Sequence, residues 1–357
     1  VGSLMLSDYN MALQRHAANI AITQNIDLAG GNHTSSFPVR RGGTNLTSPI
    51  IELSNRNPSG SPVHAIRWGA ANQVINTLNG MRDTVNVNPA TLLDLFNKPY
   101  FPVTDNDVLV MAEASASLSR QQALIIENSM KNARNLATSQ GKGTSLLSKD
   151  QKALLSITAG NAAALQAQLN TLSAVSNPNN IYQTQLGIPL AHTYKAFQNN
   201  LINSAQINID TGDWHGSQDL MNGQGATMAR ELSNRLAIFI DLLKSTPEQD
   251  DPTLTLWDTT SIFITTEFTR GISIINNDNS DGGTNGFVMI GKKVRGGFYG
   301  GFDLSGTGDG NAFGFDPING NSNAAMAMPT AAHAYNTFQY LLGNTHNTNM
   351  KLNCMVT

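Results

Sequence analysis

The sequence predicts an α/β protein: a sheet flanked by helices, preceded by a mostly helical N-terminal half. Two observations predict the sheet. Beyond residue 185, the strand-length runs Gln206–Asp210, Ser261–Thr266 and Phe287–Ile290 are separated by stretches suited to helices or loops. Polar or glycine-containing segments follow these runs, as they do where strands deliver loops to the carboxyl edge of an α/β sheet. A third observation sets the first half apart, since apolar residues between 105 and 175 recur mostly at helical spacing. Connections of βαβ type would make the three strands neighbours, largely parallel.

The first part spans residues 1–184. Leu4–Ile22 reads as a helix running into a short extended piece at Gln24–Leu28, and no apolar strand is read ahead of Gly30-Gly31. Gly30–Pro62 is rich in Gly, Ser, Asn and Pro, the composition of a long surface loop. Asn88 and Pro89 are suited to the cap and first position of a short helix. Asp105–Thr138 and Ser148–Val175 read as two long helices forming an antiparallel pair beside the sheet, with Ser148 as the N-cap of the second.

The second part, residues 185–357, forms one compact unit with the first and alternates helix with strand. Ile188–Ile202 is expected to be a helix with Pro189 in its first turn. Gln206–Asp210 follows as a strand. In the helix Ala226–Lys244, Met228, Leu232, Leu236, Phe239, Ile240 and Leu243 make one apolar face toward the sheet. The Gly-rich residues Gly296–Phe315 suit a loop with a small hairpin. Ala331–Leu342 closes the pattern as a helix, with Gly343 as its stop.

Composition narrows the function classes. The chain has 357 residues, only 13% of them charged, and a net charge of −3, so no strong field draws it to nucleic acid or an acidic membrane. Asn alone outnumbers Lys and Arg together, which suits a solvated, loop-rich surface or one that packs against copies of itself. Cys354 is the single cysteine, so no internal disulfide forms. No apolar run approaches the roughly 18 residues of a transmembrane span. The first residues carry no Met and no basic or apolar leader, as expected of a processed or truncated chain. A phosphate loop, a dinucleotide fingerprint and a Gly-x-Ser-x-Gly elbow are all missing. Asp303, Asp309 and Asp316 among glycines offer oxygens for calcium, though not at EF-hand spacing.

Three motifs carry the candidate chemistry. Asp213-Trp-His215 follows the first strand, and an acidic residue and a histidine two apart can reach one divalent ion. Thr266-Glu267-Phe-Thr-Arg270 follows the second, where Arg270 suits the anionic group of a substrate and Glu267 with Arg270 equally suits a structural ion pair. Gly283-Thr-Asn-Gly286 leads into the third, and Val294-Arg-Gly-Gly-Phe-Tyr-Gly300 comes after it. His33 reads as a hydrogen-bonded loop histidine. His16, His64, His192 and His346 show no partner pattern, and His333 lies on the last helix.

In this order the motifs, with Leu342-Gly343 and the early Gly30-Gly31-Asn32-His33, resemble an exported bacterial family designated domain of unknown function 1501. That family is related to alkaline phosphatases and sulfatases. Its members carry Asp-Thr-His, Ser-Glu-Phe-Gly-Arg and Gly-Thr-Asp-His-Gly at the matching places, from about Leu186 to Gly343. The resemblance implies an alkaline-phosphatase-like sheet and an exported location, whether periplasmic, cell-surface or extracellular. It also implies one divalent ion (zinc, manganese or calcium) held by Asp213, His215 and Glu267, with Glu267 and Arg270 as catalytic residues. Where the family has Asp-His, this chain has Thr284-Asn285, with Asp278 and Asp281 nearby. Two functions follow. One is binding or assembly at the cell surface, with copies of itself or other surface proteins, on a scaffold without its full catalytic site. The other is metal-dependent hydrolysis of phosphate or sulfate esters.

Overall fold

The computed structural model describes residues 8–27, 65–68, 85–87, 162–177, 179–198, 200, 202–209, 223–248, 251–265, 284–303, 311–323, 325–343 and 350–357. The loop expected at Gly30–Pro62, the helices expected at Asn88-Pro89 and Asp105–Thr138, and the start of that at Ser148–Val175 lie outside these residues.

The fold is mixed α/β. Strands β1 (Ile20–Asp27), β5 (Ser261–Thr265), β6 (Thr284–Gly291) and β7 (Gly297–Tyr299) form a four-stranded sheet in the order β5-β6-β1-β7. A second sheet holds β2 (Ala65–Trp68), β3 (Val85–Val87) and β4 (Ser204–Ile207) in the order β3-β2-β4, all parallel. Strands β8 (Gly301–Asp303) and β9 (Asn311–Phe313) make the small hairpin expected in the Gly-rich region.

The helix expected at Leu4–Ile22 is corrected. A 3-10 helix covers Asp8–Asn19, and the chain turns into β1 at Ile20. The reason lies in two-sided burial. Ile20 and Ile22 lie with Ile262, Ile264, Val288 and Ile290 in one apolar layer. Ala21 lies with Phe263, Phe287 and Met289 in the other. Alternate residues of β1 thus feed opposite layers, and β-branched side chains suit such a strand. The strand thought missing before Gly30-Gly31 is therefore present.

The three strands expected side by side and largely parallel are also corrected. β4 joins β2 and β3 in the other sheet, and β5 runs antiparallel to β6. An antiparallel pair needs no crossover helix, and residues 266–283 are rich in Asn, Asp, Gly and Ser rather than helically periodic.

Helix α1 (Ala162–Ser173) lies within the second of the two long helices expected. Helix α2 (Ile188–Gln198) begins at the expected residue but continues a helical stretch that precedes it. Helical backbone runs over 181–198, with a π turn at Gln183–Gly187, so Pro189 sits inside the helix rather than in its first turn. A proline has no N–H to donate and its ring crowds the carbonyl four residues back, and the wider π turn just before Pro189 relieves both. The helix ends at Gln198, short of Ile202.

Helix α3 (Gln224–Ser245) is the long helix expected at Ala226–Lys244. Its buried Leu236, Phe239, Ile240 and Leu243 share a core with the sheet residues Ile20 and Ile290. A short α4 (Leu256–Thr259) leads into β5, closed by a capping box between Thr255 and Asp258. Helix α5 (Ala331–Leu341) ends as expected, with Gly343 at φ +75° and its N–H bonded to Tyr340 O. Beneath it, Leu352, Cys354, Met355 and Val356 are buried, and burial pushes the Cys354 thiol up to about 12. Among the described residues, no helix is long and apolar enough to cross a membrane.

A candidate site at one edge of the mixed sheet

The pairing registers bring the ends of β1, β5 and β7 and the start of β6 to one edge. Thr265 of β5 pairs with Phe287 of β6, Phe287 with Thr23 of β1, and Thr23 with Tyr299 of β7. These four residues form a row across the sheet. Because β1 and β5 both oppose β6, and β7 runs with β1, everything beyond this row leaves or enters on the same side. Past it, β5 runs toward Glu267 and Arg270. β1 runs to Asp27, and β7 ends at Tyr299 with Gly300 next. In the reverse direction, β6 begins at Thr284 and Asn285, paired with Asp27 and Ile26.

Close backbone contacts hold this edge. Thr23 is buried, its hydroxyl donating to Phe287 O at 3.3 Å and accepting from Phe287 N at 3.2 Å. One extra residue of β1 bulges between the pairs Thr23–Phe287 and Ile26–Asn285. Gly286 lies opposite the bulge, where an added Cβ would come within 2.7 Å of Thr23 O. Gly300 has φ +90°, and an added Cβ would sit 2.5 Å from Gln24 O. These two motif glycines are therefore required by close approach to β1, whatever chemistry the edge performs. Below the row, Phe263 stacks on Phe287 at 5.0 Å and meets Phe338 of α5 edge-on at 4.7 Å. Asp27 is exposed at the end of β1, with its N–H bonded to Pro329 O at 2.9 Å.

Asp213, His215, Glu267 and Arg270 lie outside the described residues, as do His33, Asp278, Asp281 and Asp309. The strand leading to Glu267 and Arg270 belongs to the mixed sheet. The strand leading to Asp213 and His215, β4, belongs to the parallel one, where Asn208 N–H donates to Trp68 O at 2.9 Å. Among the described residues, no group of three His, Cys, Asp or Glu side chains is placed to hold a metal ion. Asp316 organises a turn, accepting from Ile318 N at 2.8 Å and Asn319 Nδ2 at 2.6 Å. His333 forms the capping box of α5, its Nδ1 accepting from the Thr330 N–H at 3.1 Å.

Sequence reasoning missed a second polar cluster, where the 3-10 helix meets α3. His16 is buried, with Nδ1 3.1 Å from Lys244 Nζ and Nε2 3.2 Å from Asp241 Oδ1. Asp241 Oδ2 also receives Arg15 Nη2 at 2.6 Å, and Lys244 lies over the Trp257 ring at 4.9 Å. Burial first, and then Lys244, hold the imidazole below its ordinary range, against the opposing pull of Asp241. The partners stand more than 220 positions apart in the chain, so no local spacing could have shown them. His192 likewise rests against Trp68, ring centroids 5.5 Å apart.

No protein-family model, curated protein or solved structure matches this chain.

Proposed function

We propose that this is an exported protein on an alkaline-phosphatase-like scaffold whose sheet edge serves binding or assembly at the cell surface rather than ester hydrolysis. The reading rests on Thr284 and Asn285. They stand where the resembled family carries Asp and His, and they open β6 beside Asp27 and Ile26. A hydroxyl and a carboxamide there supply neither the carboxylate nor the imidazole that a two-ion centre requires. On the resemblance, Asp213, His215 and Glu267 would offer donors for one divalent ion at most, and Arg270 would meet an anionic group of a partner. The low charge and Asn-rich composition suit close packing with copies of this chain or with other surface proteins.

The test is ester hydrolysis of aryl phosphates and sulfates with zinc, manganese or calcium added, on wild type and His215→Ala, beside metal content after purification without chelator. The expected result is negligible turnover in both proteins and no more than one ion per chain. Robust turnover that disappears in His215→Ala would overturn the proposal.

The alternative, a metal-dependent phosphate or sulfate ester hydrolase, is favoured by one observation. β1 ends at Asp27 and leads into Gly30-Gly31, the strand-to-loop arrangement at which the resembled superfamily begins its site. Asp27→Asn separates the readings: it would abolish turnover in an enzyme and leave a binding or assembly activity measurable.

A further inference from the structure

We propose that His16, wedged between Asp241 and Lys244, is an acid-sensitive fastening that releases the N-terminal 3-10 helix from α3 when it takes up a proton. The geometry sets the protonation state. An ammonium has only donors, so Lys244 must donate to Nδ1, which leaves the single imidazole proton on Nε2, 3.2 Å from Asp241 Oδ1 but without a hydrogen bond to it. A second proton can enter only at Nδ1. It breaks the Lys244 hydrogen bond and places a cation 3.1 Å from the ammonium, in a buried site.

The surrounding charges do not neutralise that cost. The 3-10 helix contributes Arg15, a further cation already engaged by Asp241. From α3 come Lys244 and Asp241, and the one carboxylate is shared between Arg15 and His16. On α4, Trp257 faces Lys244, and Asp258 is paired with Lys292 of the turn after β6. The folded imidazole therefore resists protonation, in line with its lowered pKa. A released ring regains its ordinary affinity for protons. Uptake thus favours release as pH falls below the ordinary value of 6.5 and continues to do so until the folded imidazole itself titrates. For one proton, the opening equilibrium rises by up to about tenfold per pH unit across that window. A 3-10 helix of 12 residues is long for its type and makes a ready unit for local release.

The test is hydrogen exchange of the amides of residues 10–19 in the full chain between pH 7.5 and 5, corrected for intrinsic rates, with His16→Gln as the comparison. Glutamine can accept from Lys244 as Nδ1 does but does not titrate. The expected result is an opening equilibrium in wild type that climbs toward acid, by up to about tenfold per unit, and is flat in His16→Gln. Equal pH dependence in the two proteins would overturn the proposal. If His16→Gln fails to fold, the imidazole titration followed by NMR in wild type decides. A Nε2–H tautomer titrating below 6.5 supports the fastening, and titration at or above 6.5 overturns it.

Discussion

Arg235 grips Glu231 one turn before it on α3, Nε to Oε2 at 3.2 Å, and turns the rest of its guanidinium to the end of a different helix. Its Nη1 donates to Thr171 O at 2.9 Å and to Leu172 O, and its Nη2 to Ala174 O at 2.6 Å. Two of the last carbonyls of α1, and that of Ala174 just beyond it, are thus satisfied by one side chain. Glu231 in turn accepts from Gln183 Nε2 at 2.8 Å and Asn180 Nδ2 at 3.1 Å, so one ion pair ties α1, α3 and the π turn together.

Arg235→Met would leave a half-buried carboxylate and several carbonyls without their donors. The expected loss is roughly 3–5 kcal/mol of unfolding free energy, because removing one partner of a buried ion pair strands the other. Urea unfolding measures it. Arg235→Lys should rescue little, since an ammonium cannot spread over the same fan of acceptors.

The buried pair Tyr194 and Thr246 offers a finer probe. Thr246 Oγ1 donates to Leu242 O at 2.8 Å, so in the 2.7 Å contact between the two hydroxyls Tyr194 must be the donor. Tyr194→Phe removes that donor and leaves Thr246 its own carbonyl partner. The expected cost is therefore modest, about 1 kcal/mol. Thr246→Val removes both bonds, and a denaturation midpoint no lower than that of Tyr194→Phe would contradict the assigned direction.

Lys195 on α2 is 3% exposed, and burial lowers its amine from the ordinary 10.5 to about 8. The folded amine loses its proton near pH 8 while the unfolded one keeps it to 10.5, so this group adds stability as pH rises between those values. Below pH 8 the folded amine carries its proton in a site where burial disfavours the charge. Relative to wild type, Lys195→Met is expected to lose ground as pH rises from 8 to 10.5, because only wild type gains stability across that window. Thermal midpoints of both proteins across that range are the measurement, and a difference independent of pH would refute the assignment.

At the candidate edge, Gly300→Ala meets both a φ of +90° and Gln24 O at 2.5 Å from the new Cβ. Gly343 has φ +75° but open space around the added carbon. Gly343→Ala should cost roughly 1 kcal/mol, the conformational term alone. Gly300→Ala should cost clearly more, on the order of 3 kcal/mol, because backbone must also move. Equal losses in chemical denaturation would mean that β7 does not hold β1 as closely as described.

By itself the sequence determined the elements whose signal is local. The 3.6-residue spacing of Leu232, Leu236, Phe239, Ile240 and Leu243 marks α3 because one helical face must be apolar to be buried. The runs that became β5 and β6, and Gly343 at the end of α5, were legible for the same reason, as were the residue types of the candidate motifs. Tertiary structure decided what depends on partners distant in the chain. Ile20–Asp27 follows a stretch with helical spacing, and only burial between two layers, beside Met289 and Ile290, makes it the strand β1. Strand direction and sheet membership belong to the same class. Nothing within Ser261–Thr265 states that β5 opposes β6, or that β4 pairs with β2, since hydrogen-bonded pairing is a property of two segments. His16 is the sharpest case. Its weakened affinity for protons comes first from burial and then from the Lys244 ammonium that α3 sets beside it, against the pull of Asp241, and charges so placed are felt through space rather than along the chain.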